Sequence, residues 1–266
     1  MKHVCCFALL TLAATAAPAA DLLIEHVTIL SAEQSQPLAD RTVLIRDGRI
    51  VSIGQQAVAA KADTRKIDGR GKFLTPGIMD SHVHASDSAG IPPLGNDPQL
   101  VALRDAYQRQ QPRSYLYFGV TQLLDLASFG EGLQRFDSQP IKPDLFHCGS
   151  APVLDGYPTA MIPQAVRYQA FPQYVYEPAN AKEHPLPAGA NEAEHTPEAV
   201  VERAAQGGAH CFKIFIEDGF GPASDWPLMS KETLARIRAA TRKHKMVLIA
   251  HANALDMQRI ALDAKE

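Results

Sequence analysis

Pro76-Gly77-Ile78-Met79-Asp80-Ser81-His82-Val83-His84 is the stretch whose reading decides the fold. Side chains on a strand alternate with a period of two. His82 and His84 therefore share one face, and Val83 takes the other. Two imidazoles on one strand face can grip one metal ion, or they can sit as a neutral pair in a polar pocket. Asp80 falls on the same face and reads as support for the pair rather than as a partner in chemistry.

The rhythm of the chain differs on the two sides of this stretch. Upstream, residues 22–74 read as short strands. Leu22 to Leu30 is one, and Thr42 to Arg46 and Arg49 to Ile53 flank Asp47-Gly48, a hairpin signal. Lys66-Ile67 and Lys72-Phe73 add short pieces, so a small antiparallel β domain is expected before residue 75. Downstream, strands alternate with helices. Phe73 to His84, Val120 to Leu126, Asp144 to Cys148, His210 to Glu217 and Met246 to His251 read as core strands. A helix is expected over 98–110, capped by Asp97 and ended near Pro112. Thr196-Pro197-Glu198 and Ser230 open two more, and another starts at Ala254. Residues 150–195, rich in Pro, Tyr and Ala, read as loops with a helix or two. Repeated strand–helix units imply a parallel sheet, and long insertions after strand ends suit a (β/α)8 TIM barrel, whose sites form at those ends.

Two further residues stand out in this frame. Lys213 lies inside the apolar run Cys211-Phe212-Lys213-Ile214-Phe215, where a buried ammonium is costly. An inward ion pair or snorkelling at the strand end would explain it. A third reading is chemical: a lysine of lowered pKa takes up CO2 as a carbamate, whose two oxygens can bridge two divalent ions. His251 ends the apolar run Val247-Leu248-Ile249-Ala250, as a core histidine or as a ligand alongside the others. Asp218-Gly219-Phe220-Gly221 lacks the spacing of a phosphate loop and reads as an ordinary loop.

Taken together, these features resemble the amidohydrolase superfamily. PGIMDSHVH is similar to the family's first-strand pattern, Lys213 to its fourth-strand lysine and His251 to its fifth-strand histidine. Phe118-Gly119-Val120-Thr121 resembles its second strand, and the upstream β segment its small composite, β-sandwich-like domain. The stretch from Phe212 to His251 looks closest to the imidazolonepropionase-like and prolidase-like branch. The resemblance implies metal-assisted hydrolysis of a carbon–nitrogen bond in an amide, peptide or cyclic amide. His82 and His84 would hold the more buried of two divalent ions, zinc as first choice. Carboxylated Lys213 would bridge to the second ion, which His251 would help to bind. Water held between the ions would attack the carbonyl. Other readings are a mononuclear esterase or lactonase on the same scaffold, and a truncated, non-catalytic fragment.

The family also needs a sixth-strand histidine and an eighth-strand aspartate. Neither can be assigned here, since Asp125, His147 and Asp155 fall on the wrong strands. Five of eight strands are legible, and a full barrel takes ~250 residues by itself. The expectation is the first part of a metallohydrolase. Tyr157, Arg167 and Trp226 are the candidates for lining a substrate pocket, with Tyr168, Tyr174 and Tyr176 in the same segments.

Composition bounds the rest. The 266 residues carry 26 Lys and Arg against 29 Asp and Glu, a formal net charge of -3, and 46% are hydrophobic. This is globular composition, not that of a disordered chain, a coiled coil or a polytopic membrane protein. A mildly acidic chain is a poor nucleic-acid binder. The expected partners are a small molecule or short peptide, with homo-oligomers left open. Residues 1–20 read as a cleaved signal peptide, with Lys2 before an apolar run and Ala17-Pro18-Ala19 as a cleavage site. An exported, periplasmic or secreted protein is therefore expected, with domains at 21–74 and 75–266. Cys148 and Cys211 remain after cleavage, and an oxidising compartment permits a bond between them without requiring one.

Overall fold

In the computed structural model, the described residues are 21–55, 60–85, 87–91, 97–127, 130–221 and 225–263. The signal segment 1–20 lies outside them. The chain divides into two compact units, Met1–Pro76 and Gly77–Glu266.

The first unit is one five-stranded mixed sheet. β1 (Leu22–Ile29) pairs antiparallel with β2 (Leu38–Arg46), which pairs antiparallel with β3 (Arg49–Gly54). Asp47 and Gly48 join β2 to β3 with φ of 49° and 72°, the left-handed pair that a tight hairpin needs. The sheet is not purely antiparallel, as the sequence led us to expect. β4 (Arg65–Asp68) and β5 (Phe73–Leu74) both pair parallel to β1. Sequence alternation marks a strand but not the direction of its neighbour. Leu23, Val27, Val43 and Leu44 are the buried apolar residues of this sheet.

The second unit is half of a (β/α) barrel. Five parallel strands stand in the order β10-β9-β8-β7-β6. They are β6 (Ile78–Val83), β7 (Val120–Asp125), β8 (Asp144–Ser150), β9 (Cys211–Phe215) and β10 (Val247–His251). Strand order follows chain order, as successive strand–helix–strand steps dictate. The helices are α1 (Pro98–Tyr117), α2 (Gly130–Asp137), α3 (Gln164–Ala170), α4 (Pro197–Gln206), α5 (Lys231–Lys243) and α6 (Leu255–Asp263). Their N-caps are as read: Asp97 accepts from the Gln99 N–H, Thr196 from Ala199 and Ser230 from Thr233.

Two local readings change. α1 runs through Pro112 instead of ending there. An interior proline loses a hydrogen bond and crowds the preceding turn. Here Gln111 and Pro112 are the buried residues of α1, so tertiary packing overrides the local preference. α2 has no counterpart in the sequence reading, because Gly130 and Gly132 mask its start.

The main core lies around β9. Phe212, Ile214 and Ile216 pack with Val200, Val201, Leu234 and Ile237 of α4 and α5. Close helix–sheet packing rests on one glycine: a Cβ on Gly149 would sit 2.2 Å from Cβ of Ala204 on α4. On the other face, Cys148 and Cys211 are register partners on β8 and β9 and form a disulfide, with Leu126 in the same cluster.

Candidate active site

The period of two along β6 separates the residues of the opening stretch as read. Val83 is buried with Leu123 and Phe136 on the helix side of β6. His82 and His84 take the other face, with ring centroids 5.6 Å apart and planes at 73°. Asp80 accepts the His82 backbone N–H at 3.1 Å and stiffens the strand between them. The glycine of the same stretch has a steric reason: a Cβ on Gly77 would lie 2.0 Å from Oγ1 of Thr121 on β7.

Lys213 comes to this face from β9, where all five residues are buried. It is only 3% exposed. Its Nζ lies 3.5 Å from His82 Nε2 and 5.4 Å from the centroid of the Phe215 ring. Burial pulls the lysine pKa below its ordinary value, opposed by the charge of buried Asp125. Burial also lowers His82, and Lys213 and His84 add to the effect; His251 contributes further. His251 is lowered by burial first and by Lys213 second. The other three site residues read from sequence thus stand within electrostatic reach of His82, although Lys213 lies 131 positions from it in the chain.

The C-terminal ends of β9 and β10 carry an aromatic cluster. Tyr157 stacks on His251 at 4.6 Å and on Trp226 at 5.9 Å. Phe220 meets both Tyr157 and Trp226 edge-on at 5.4 Å. Burial, and then the charge of Glu217, push the Tyr157 hydroxyl pKa up. Arg167 is not brought to this cluster. Its guanidinium donates to Asp155 Oδ1 at 2.6 Å and to the Ile162 carbonyl. Burial opposes ionisation of Asp155, but hydrogen bonds from Arg167, Tyr168 and His184 outweigh it and hold the carboxyl below its usual range. Arg167 and Tyr168 therefore brace the loop. Tyr174 stacks on His195 at 3.9 Å.

Two buried acids stand near these residues: Asp125, which the sequence reading set aside, and Glu217, which it did not single out. Asp125, fully buried at the end of β7, accepts the Ala127 N–H at 3.0 Å. Glu217, 2% exposed, approaches His251 Nε2 at 3.5 Å. A signal for Glu217 lay in its parity with Lys213, since 213, 215 and 217 fall on one face of an extended chain. Among the described residues, no group of three or more His, Cys, Asp or Glu has metal-holding geometry.

Comparison with known proteins places this architecture. No family model matches the chain. Protein LONG AFTER FAR-RED 3 of Arabidopsis thaliana is 40% identical over 68 residues, 24% of this chain and 12% of that protein. Adenine deaminase of Moorella thermoacetica is 44% identical over 46 residues, 17% of this chain and 8% of that protein. Likeness in fold extends much further. A prolidase solved with N-methylphosphonate-L-proline superposes with a TM-score of 0.66 at 20% identity, over 92% of this chain and 59% of that one. A Xaa-Pro dipeptidase with bound methionine gives 0.66 at 17% identity, over 92% and 60%. A solved amidohydrolase gives 0.65 at 20% identity, over 92% and 59%. The fold is the one these solved prolidase, dipeptidase and amidohydrolase structures share, here as a half-barrel of five parallel strands with a separate N-terminal mixed sheet. The chain spans about three-fifths of the length of these solved structures, and its matches span about a tenth of the curated relatives. Relatives named by activity, a deaminase, a prolidase and a dipeptidase, cleave carbon–nitrogen bonds.

Proposed function

We propose that this chain carries the metal-binding half of a hydrolase for amide, peptide or cyclic-amide bonds. The observation that carries the reading is Lys213. It is a buried lysine of lowered pKa on β9, 3.5 Å from one imidazole of a paired set and within the field of a third histidine. A structural lysine in an apolar strand would be an expense without return.

The donor set fits divalent ions. His82, His84 and His251 are borderline-soft imidazole donors, and the lowered pKa values of His82 and His251 keep those two rings neutral, as ligation requires. His82 and His84 would hold one ion, His251 a second, and Lys213 both. For that last role the neutral Lys213 amine adds to CO2 and releases one proton. A carbamate with two oxygens then stands where an ammonium would repel a cation. Zinc is the first choice. Such ions, when bound, supply Lewis acidity at the scissile carbonyl and lower the pKa of water. Tyr157, Trp226 and Phe220 form an apolar wall beside His251 that excludes water and orients the substrate. Export is part of the reading, supported by the Cys148–Cys211 bond. Among the described residues no helix is long and apolar enough to cross a membrane.

The test is elemental analysis of the purified chain, with a hydrolysis panel of dipeptides, N-acyl amino acids and lactones. Zinc is expected to co-purify in the wild type. Lys213→Met and His82→Asn are expected to lose zinc and to bring to background any amide cleavage that the wild type shows. Full metal content in both variants would overturn the ligand set, and cleavage of lactones alone would overturn the bond class.

A further inference from the structure

His251 is held on three sides. Tyr157 lies on one ring face, at 4.6 Å and 28°. Phe215, its register partner on β9, sits at 6.3 Å. At the edge, Glu217 Oε2 is 3.5 Å from Nε2. That Nε2 is buried, and among the described residues no hydrogen bond satisfies it. The Glu217 carboxylate is itself buried, and its Oε2 accepts the Asn253 N–H at 3.2 Å. Pairing of β9 with β10 continues past the strands, where Ile216 N–H donates to the His251 carbonyl at 2.8 Å. This continuation puts Glu217 beside the imidazole edge.

A neutral imidazole carries its proton on one nitrogen only, and a carboxylate can only accept. A nitrogen lone pair aimed at Glu217 would be repelled, and an N–H would be attracted. We propose that Glu217 is the positioning residue of His251: its carboxylate holds the proton on Nε2 and leaves Nδ1 with the free lone pair. Tyr157 fixes the plane of the ring, and Glu217 fixes which of its nitrogens can act as a donor to a ligand. The consequence for metal binding rests on His251 being a ligand, as proposed above. The tautomer does not.

The experiment is 15N NMR of the full, metal-free chain with labelled histidine, at mildly alkaline pH, with His251→Asn to assign the signal. In the wild type, His251 is expected to show Nε2 at the protonated shift and Nδ1 at the unprotonated one. Glu217→Leu is expected to move both toward the averaged shift of mixed tautomers. Glu217→Gln keeps a carbonyl acceptor and is expected to retain the wild-type pattern. A wild-type His251 protonated on Nδ1, or a pattern unchanged in folded Glu217→Leu, overturns the proposal. Should Glu217→Leu lose its near-UV circular dichroism, the wild-type spectrum alone decides. A chelator-competition titration with zinc separates the two readings. Glu217→Leu is expected to weaken zinc by about 10–100-fold. If the tautomer depends on Glu217 while His251→Asn leaves zinc affinity unchanged, the ligand role of His251 fails and the positioning role of Glu217 stands.

Discussion

β9 and β6 bring their residues to one site in opposite ways. β9 is flanked by β8 and β10, and every residue of Cys211–Phe215 is buried. β6 is the last strand of the described order, and of Ile78–Val83 only Val83 is buried. Lys213 is thus held by packing on both faces of its strand, at the cost of desolvating an amine. His82 and His84 are exposed and are held by their own backbone, the hydrogen bond from the His82 N–H to Asp80 and one packed face. Chemistry that needs a shifted pKa belongs on the first kind of strand. Ligands that need only a fixed spacing can sit on the second.

That contrast predicts a ranking of substitutions. The largest effect is expected from removing the bond that staples β9 to β8. Cys148→Ala with Cys211→Ala opens a link across a sequence separation of 63. Loop-closure entropy puts the loss at about 4 kcal/mol, readable in urea unfolding. A loss near zero would mean that β9 is held by side-chain packing alone. Next comes the start of β6. Gly77→Ala forces a Cβ onto Thr121 and is expected to cost about 1–3 kcal/mol. Adding Thr121→Ala should recover part of it, and a double variant no better than the single one would break the steric argument. The smallest effect is expected at an exposed position of β6. Met79 is 51% exposed, and Met79→Thr should change stability by no more than about 0.5 kcal/mol. A large loss in a thermal melt would show that β6 is covered in solution and would erase the contrast with β9.

Much of the fold was legible from residues close in sequence. The Asp47-Gly48 hairpin, the caps at Asp97, Thr196 and Ser230, and the five barrel strands all follow from local chemistry with short range. The misreadings share a cause. Pro112 looked like a stop because its packing partners lie elsewhere in the chain, and α2 was hidden by its glycines. The parallel pairing of β4 and β5 with β1 was invisible for a similar reason, since strand direction is set by the connection.

The candidate site divides along the same line. By itself the sequence determined that His82 and His84 share a face, because a strand repeats every two residues whatever surrounds it. It also determined that Lys213 sits in an apolar strand. Only the tertiary structure decided that Lys213 meets His82, that Arg167 is engaged by Asp155, that Cys148 bonds Cys211, and that Glu217 faces His251. Each of these contacts depends on how strands or loops distant in sequence align. A shift of one residue in register turns every side chain to the opposite face, and no local pattern records that choice.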